Sequence, residues 1–84
     1  MGVINYTKKI QDKIECGFGV TVEDILDDLE DIDSKVVMIN RNGMWYFYEP
    51  SDIDTISGKD LESQVKKFET LHDRKNGLCL NIWI

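Results

Sequence analysis

Eighty-four residues, 42% hydrophobic and 31% charged, read as one small globular domain spanning 1–84 rather than a disordered chain. No apolar run approaches the ~20 residues that cross a bilayer, no export signal opens the chain, and Tyr6 stands where a myristoylation signal wants Ser or Thr. The net charge of −6 is gathered between Glu15 and Asp54, where eleven acids meet only Lys35 and Arg41, so nucleic-acid binding by that lobe is electrostatically disfavoured.

Val3 to Cys16 reads as a first helix, with Tyr6, Ile10 and Ile14 at i, i+4 and i+8. Gly17 offers a left-handed terminus, and Phe18, between Gly17 and Gly19, is expected to plug the core. Thr21 then caps a second helix, with Asp24 closing the capping box and Val20 stapled to Ile25. Val22, Ile25, Leu26, Leu29 and Ile32 form its buried stripe. Glu23, Asp24, Asp27, Asp28, Glu30 and Asp31 fill the rest, with Asp33 beyond, and no cation occurs among them. Acids suit the start of a helix, but Asp28, Glu30 and Asp31 fall toward the wrong end of its dipole.

Asn42-Gly43 between two apolar runs is a hairpin signal, because both residues tolerate the positive φ of a type I′ turn. The two-residue turn pairs Arg41 with Met44, Asn40 with Trp45, Ile39 with Tyr46, Met38 with Phe47 and Val37 with Tyr48. One face is then Val36, Met38, Trp45 and Phe47, which reads as core. The other holds Val37, Ile39, Arg41, Met44, Tyr46 and Tyr48, which is too apolar for a plain solvent face. It is covered either by a second layer of this chain or by a partner.

Pro50 ends the hairpin, and Ser51 to Thr55 is expected as a loop or short edge strand. Ser57 caps a third helix with Asp60 at its third position, and Leu61, Val65, Phe68 and Leu71 give that helix a stripe running to Asn76-Gly77. Leu78, Leu80, Ile82 and Ile84 make one face of a final strand, Cys79, Asn81 and Trp83 the other. The expected order is α-α-β-β-α-β: an α+β domain in which a small antiparallel sheet, hairpin 35–49 plus strand 78–84, packs with three helices.

Chemistry-bearing patterns are weak. His72 would close the third helix, where imidazole meets free carbonyls. Asp52-Ile53-Asp54 lacks the oxygen ligand, Gly and Glu that a calcium loop places next, having Ile56, Ser57 and Ser63 instead. No zinc cluster or phosphate-cradling loop occurs, so no cofactor and no metal is expected, and the chain reads as a non-enzyme. Cys16 and Cys79 have no CxxC spacing and read as reduced core thiols of a cytoplasmic protein.

The acidic helix carries the sharper expectation. Asp24-Ile25-Leu26-Asp27-Asp28-Leu29 resembles the acidic inhibitory helix of the barstar family of ribonuclease inhibitors. That family has a parallel sheet where the Asn42-Gly43 hairpin demands antiparallel pairing, so none of its residues is carried over. In size, acidity and hairpin character the chain also resembles phage-encoded anti-CRISPR proteins, some of which mimic DNA. The expected role is an inhibitor or antagonist of a basic protein, such as a nuclease or another nucleic-acid-binding protein. Its contact residues are Glu23, Asp24, Asp27, Asp28, Glu30, Asp31, Asp33, Glu49, Tyr46 and Tyr48, extended by Asp52 and Asp54. The alternatives are an oligomer-forming or scaffold domain that uses Met44, Tyr46, Tyr48 and Trp83 as its contact face, and a weak nucleic-acid binder built on Lys66, Lys67, Arg74 and Lys75.

Overall fold

The computed structural model describes residues 3–32, 35–73 and 77–84. Helix α1 (Val3–Glu15) and helix α2 (Val22–Asp28) precede strands β1 (Lys35–Arg41) and β2 (Met44–Tyr48). A 3₁₀ turn (Pro50–Thr55) and the single-turn helix α3 (Gly58–Leu61) lead to β3 (Lys67–Asp73) and β4 (Gly77–Trp83). The α+β class therefore stands, and one sheet in the order β2-β1-β4-β3 organises it.

The local signals explain most of these boundaries. Past α1, the Gly17 N–H donates to the Ile14 carbonyl and the Phe18 N–H to that of Lys13, the paired bonds of a Schellman motif, and Gly17 takes the required φ of +83°. At α2, Thr21 accepts from the Asp24 N–H at 3.2 Å while the Asp24 carboxylate accepts from the Thr21 N–H at 3.1 Å. The capping box forms with Asp in place of the longer Glu. α2 ends at Asp28, a turn short of Ile32; with Asp27 and Asp28 in its last turn, Glu30 and Asp31 just beyond and no base, nothing complements the carbonyl pole. The hairpin has the expected register, from Arg41↔Met44 to Val37↔Tyr48, with Asn42 and Gly43 both at positive φ.

Two expectations fail together in the second half of the chain. The third helix stops after Leu61, and residues 67–73, assigned above to its stripe, form a strand instead. The sheet is correspondingly mixed: β3 pairs β4 antiparallel over seven residue pairs, and β4 runs parallel to β1. The cause is pairing. Had 67–73 stayed helical, the outer side of β4 would be left with unpaired amides and carbonyls, costly groups in a half-buried strand. The new edge is partly covered by α1, whose Gln11 side-chain oxygen accepts from the Phe68 N–H at 3.0 Å. Thr7 and Thr70 hydroxyls meet nearby at 2.9 Å.

The main core also lies on the opposite face of the hairpin from the one expected; of the expected set only Val36 is buried, outside the main cluster. Val37, Ile39, Leu80, Ile82 and Phe68 point to the helices and pack with Ile10, Val22, Ile25, Leu26 and Leu29. Trp45 (44% exposed) and Phe47 (54%) face solvent instead. The sequence reading made both faces apolar; α1 and α2 cover the one bearing the β-branched Val37 and Ile39. Phe18, assigned above to the core, is 66% exposed, because Gly17 turns the chain outward before Val20 re-enters. Cys16 is exposed and Cys79 half-buried, neither in a disulfide, so neither is the core residue expected. His72 lies in a strand, exposed, rather than at a helix end.

Candidate protein-docking surface

α2 is amphipathic, and its burial fixes its outward face. Val22, Ile25 and Leu26 are buried in the core, so Glu23, Asp24, Asp27 and Asp28 project to solvent, followed by Glu30 and Asp31 in the turn beyond. The structure thus gathers six of the acids named above, and Glu49, Asp52 and Asp54 are exposed in and beside the 3₁₀ turn. Asp33 lies outside the described residues.

The six acids do not share one role. Asp24 is occupied by the capping box. Asp28 accepts a hydrogen bond from the Tyr6 hydroxyl at 2.8 Å, tying α2 to α1. Partial burial of the Tyr6 ring, followed by the bond and charge of Asp28 and the charge of Asp24, pushes that phenol well above its usual value. Glu23, Asp27, Glu30 and Asp31 have no comparable structural task. Among the described residues the ion pairs are Arg41–Asp60 and Lys67–Glu69, and neither neutralises an acid of α2.

The Tyr6 bond gives a titration prediction. A phenol raised in the folded state contributes stability that is complete below its ordinary value of 10.0 and is lost as pH rises beyond it. Alkaline absorbance titration of the folded protein is expected to show a late tyrosine component, and Tyr6→Phe to remove it. A titration without that late component would mean that Tyr6 is not buried against Asp28 in solution.

Two clefts flank the acidic helix. One, of about 690 Å³, lies between α1, the Phe18–Val20 segment and α2, with Asp24, Asp27 and Asp28 on one side, Lys13 on the α1 side, and Ile10, Phe18 and Val20 supplying apolar surface. The other, of about 380 Å³, is walled by Glu23, Asp27, Glu30 and Asp54 over Leu26, Ile53 and Leu61. Asp27 lines both and so occupies the ridge between them. Lys35 closes the floor of the second cleft, but its ammonium is directed at the Ile32 carbonyl, 3.0 Å away. Acidic walls around apolar floors suit side chains with a cationic tip on an apolar stem, those of Arg and Lys.

Tyr46 and Tyr48 do not join this surface. They are half-buried on the helix side of the sheet; Tyr48 packs on the core, and the Arg41 guanidinium lies 4.7 Å from the Tyr46 ring centre. Sequence reasoning missed Phe18, the exposed aromatic beside Asp24, Asp27 and Asp28. Its signal was legible in retrospect: a large aromatic between two glycines belongs to a turn, and turns lie at the surface.

Among the described residues no group of three His, Cys, Asp or Glu side chains is placed to hold a metal ion, and no helix is long and apolar enough to cross a membrane. No known protein family, curated protein or solved structure matches this chain.

Proposed function

We propose that this chain is a non-enzymatic binding module of the cytoplasm, an inhibitor or antagonist that docks α2 on a cationic protein surface of the kind that otherwise holds nucleic acid. The observation that carries the reading is the set Glu23, Asp27, Glu30 and Asp31: clustered, exposed and without an ion-pair partner among the described residues. Like charges at i, i+4 on a helix cost a few tenths of a kcal/mol per pair, roughly, and acids near a C-terminus oppose the dipole. Charge kept only for solubility works as well when dispersed with both signs. A partner bearing Arg and Lys would reverse that cost, and the clefts beside α2 would receive the apolar stems of those side chains. Phe18, exposed at the rim, would supply an aromatic anchor.

The test reverses the acids that do no structural work. Asp27→Lys, Glu30→Lys and Asp31→Lys together spare the Thr21–Asp24 capping box and the Tyr6–Asp28 bond, so circular dichroism and melting are expected to match wild type or improve slightly. Capture of basic proteins from a lysate is expected to disappear. Equal capture by wild type and the triple variant would reduce the acidic helix to solvated surface and end the proposal.

A further inference from the structure

We propose that the sheet face turned away from the helices joins two copies of this chain in a weak, two-fold symmetric dimer. Helices α1 and α2 pack on the other face only; on this one Val36, in the row of Cys79 and Leu71, is buried, while the side chains of the next two rows are half-buried or exposed. Its side chains form rows across all four strands, read directly from the register. Trp45, Asn40, Trp83 and Lys67 make the first row, and Phe47, Met38, Asn81 and Glu69 the second. Trp45 and Trp83 meet edge to face at 5.0 Å, and the Lys67 ammonium lies 4.8 Å from the Trp83 ring centre. Leu71, on the third row, is 59% exposed.

Charge selects the occupant. Among the described side chains of the face, the charged ones are Lys67 and Glu69, which pair with each other at 3.0 Å, and the surface around them is aromatic, aliphatic or amide. A nucleic acid needs cations aimed at its phosphates and, among the described side chains of this face, finds one lysine, already engaged. A cationic partner, among the same side chains, finds one acid, equally engaged. What fits is another neutral, aromatic and aliphatic face, and this chain supplies one.

Symmetry fits as well. In a face-to-face pair related by a two-fold axis along the strands, β2 of one copy lies over β3 of the other. Each row then meets its own copy, so Trp45 lies over Lys67 and Phe47 over Glu69 of the other chain, and Trp45 gains a cation to stack against. Sheets stack about 10 Å apart, and α2 of each copy faces outward from the pair. The two acidic surfaces are then separated by far more than the ~8 Å screening length at physiological salt. Dimerisation therefore incurs little repulsion despite a charge of −6 per copy, and leaves both α2 surfaces free.

Area sets the strength. Four strands about 4.8 Å apart, with about seven residues of about 3.3 Å each, give a footprint near 440 Å² per copy. Two such faces, corrugated by side chains, remove roughly 1,000 Å² in total, the lower limit for a specific interface. The dimer is accordingly expected at micromolar to millimolar concentration and not below it.

Sedimentation equilibrium of the wild-type chain across that range is expected to show the average mass climbing from one chain toward two. Phe47→Glu, at an exposed position that the monomer fold does not need, is expected to hold it at one. Alkylation distinguishes the proposed face from pairing through the β2 edge. Cys79 lies on the face and Cys16 on the helix side, so dimer formation is expected to slow labelling of Cys79 severalfold while Cys16 reacts unchanged. A wild type that stays monomeric overturns the proposal, and so does a dimer that leaves Cys79 as reactive as before. Binding of a labelled oligothymidylate by a monomeric wild type overturns it in favour of a single-strand platform. The α2 triple variant is expected to dimerise normally, so failure here and failure of the acidic docking surface are separable.

Discussion

Phe68→Ala is expected to cost about 3–5 kcal/mol, the range for a fully buried aromatic truncated to alanine. Phe68 is 1% exposed, the largest of the fully buried side chains, and its ring meets Tyr6 edge to face at 6.4 Å. It sits where α1, the sheet and α2 converge, so little of the resulting cavity can collapse. A domain of this length holds roughly 4–12 kcal/mol in all, so the variant should melt about 15–30 °C lower or unfold outright. Leu71→Ala makes the comparison informative. In a helical stripe the two positions would share a face and suffer alike. In β3 they lie on opposite faces, and Leu71 is exposed. Its truncation should therefore change stability by no more than about 0.5 kcal/mol. Chemical denaturation of both variants checks this, and comparable losses would restore the helix.

That contrast also shows why part of the fold was legible and part was not. Signals confined to a few neighbouring residues read correctly: the Thr21–Asp24 box, the Schellman turn at Gly17, the Asn42-Gly43 hairpin and the cap at Ser57. Each is settled by local geometry. Val65, Phe68 and Leu71 are spaced by three, which fits a helix stripe, and no local rule outweighs that pattern. What decides is the demand of β4 for a second partner, a contact that the sequence between 57 and 73 does not encode. The choice of buried hairpin face is the same kind of problem. Val36 and Met38 alternate with Val37 and Ile39, and only the arrival of Leu80 and Ile82 beside β1 shows which set joins the main core.

For the candidate site the division runs along similar lines. The acids of α2 were legible because the buried stripe of an amphipathic helix fixes the face opposite it. Their different duties were not: nothing in the spacing singles out Asp28 as the partner of Tyr6, 22 residues earlier. Tyr46 and Tyr48 were placed by composition on a contact surface, whereas the register and the helices put Trp45 and Phe47 outside in their stead.

Salt should separate an electrostatic docking surface from any other more sharply than a substitution can. The acidic stretch from Glu15 to Asp54 carries eleven carboxylates against two bases, and the six acids of α2 and the turn beyond share one side of a molecule whose longest extent is 33 Å. At 0.01 M salt the screening length is about 30 Å, so a cationic partner feels the whole cluster before contact; at 1 M it is about 3 Å, and the field ends at the surface. Once the captured partner is in hand, its association rate is expected to fall at least about tenfold over that range, with a much smaller change in dissociation. Neutralising Asp27, Glu30 and Asp31 to Asn, Gln and Asn is expected to reproduce most of the high-salt rate at low salt and to flatten the dependence. The neutralised helix should also be no less stable, since the substitutions relieve like-charge contacts of a few tenths of a kcal/mol each, roughly. Surface plasmon resonance at graded salt reads both rates. A flat association rate in wild type would place the binding energy in the apolar cleft around Phe18, with the acids serving solubility alone.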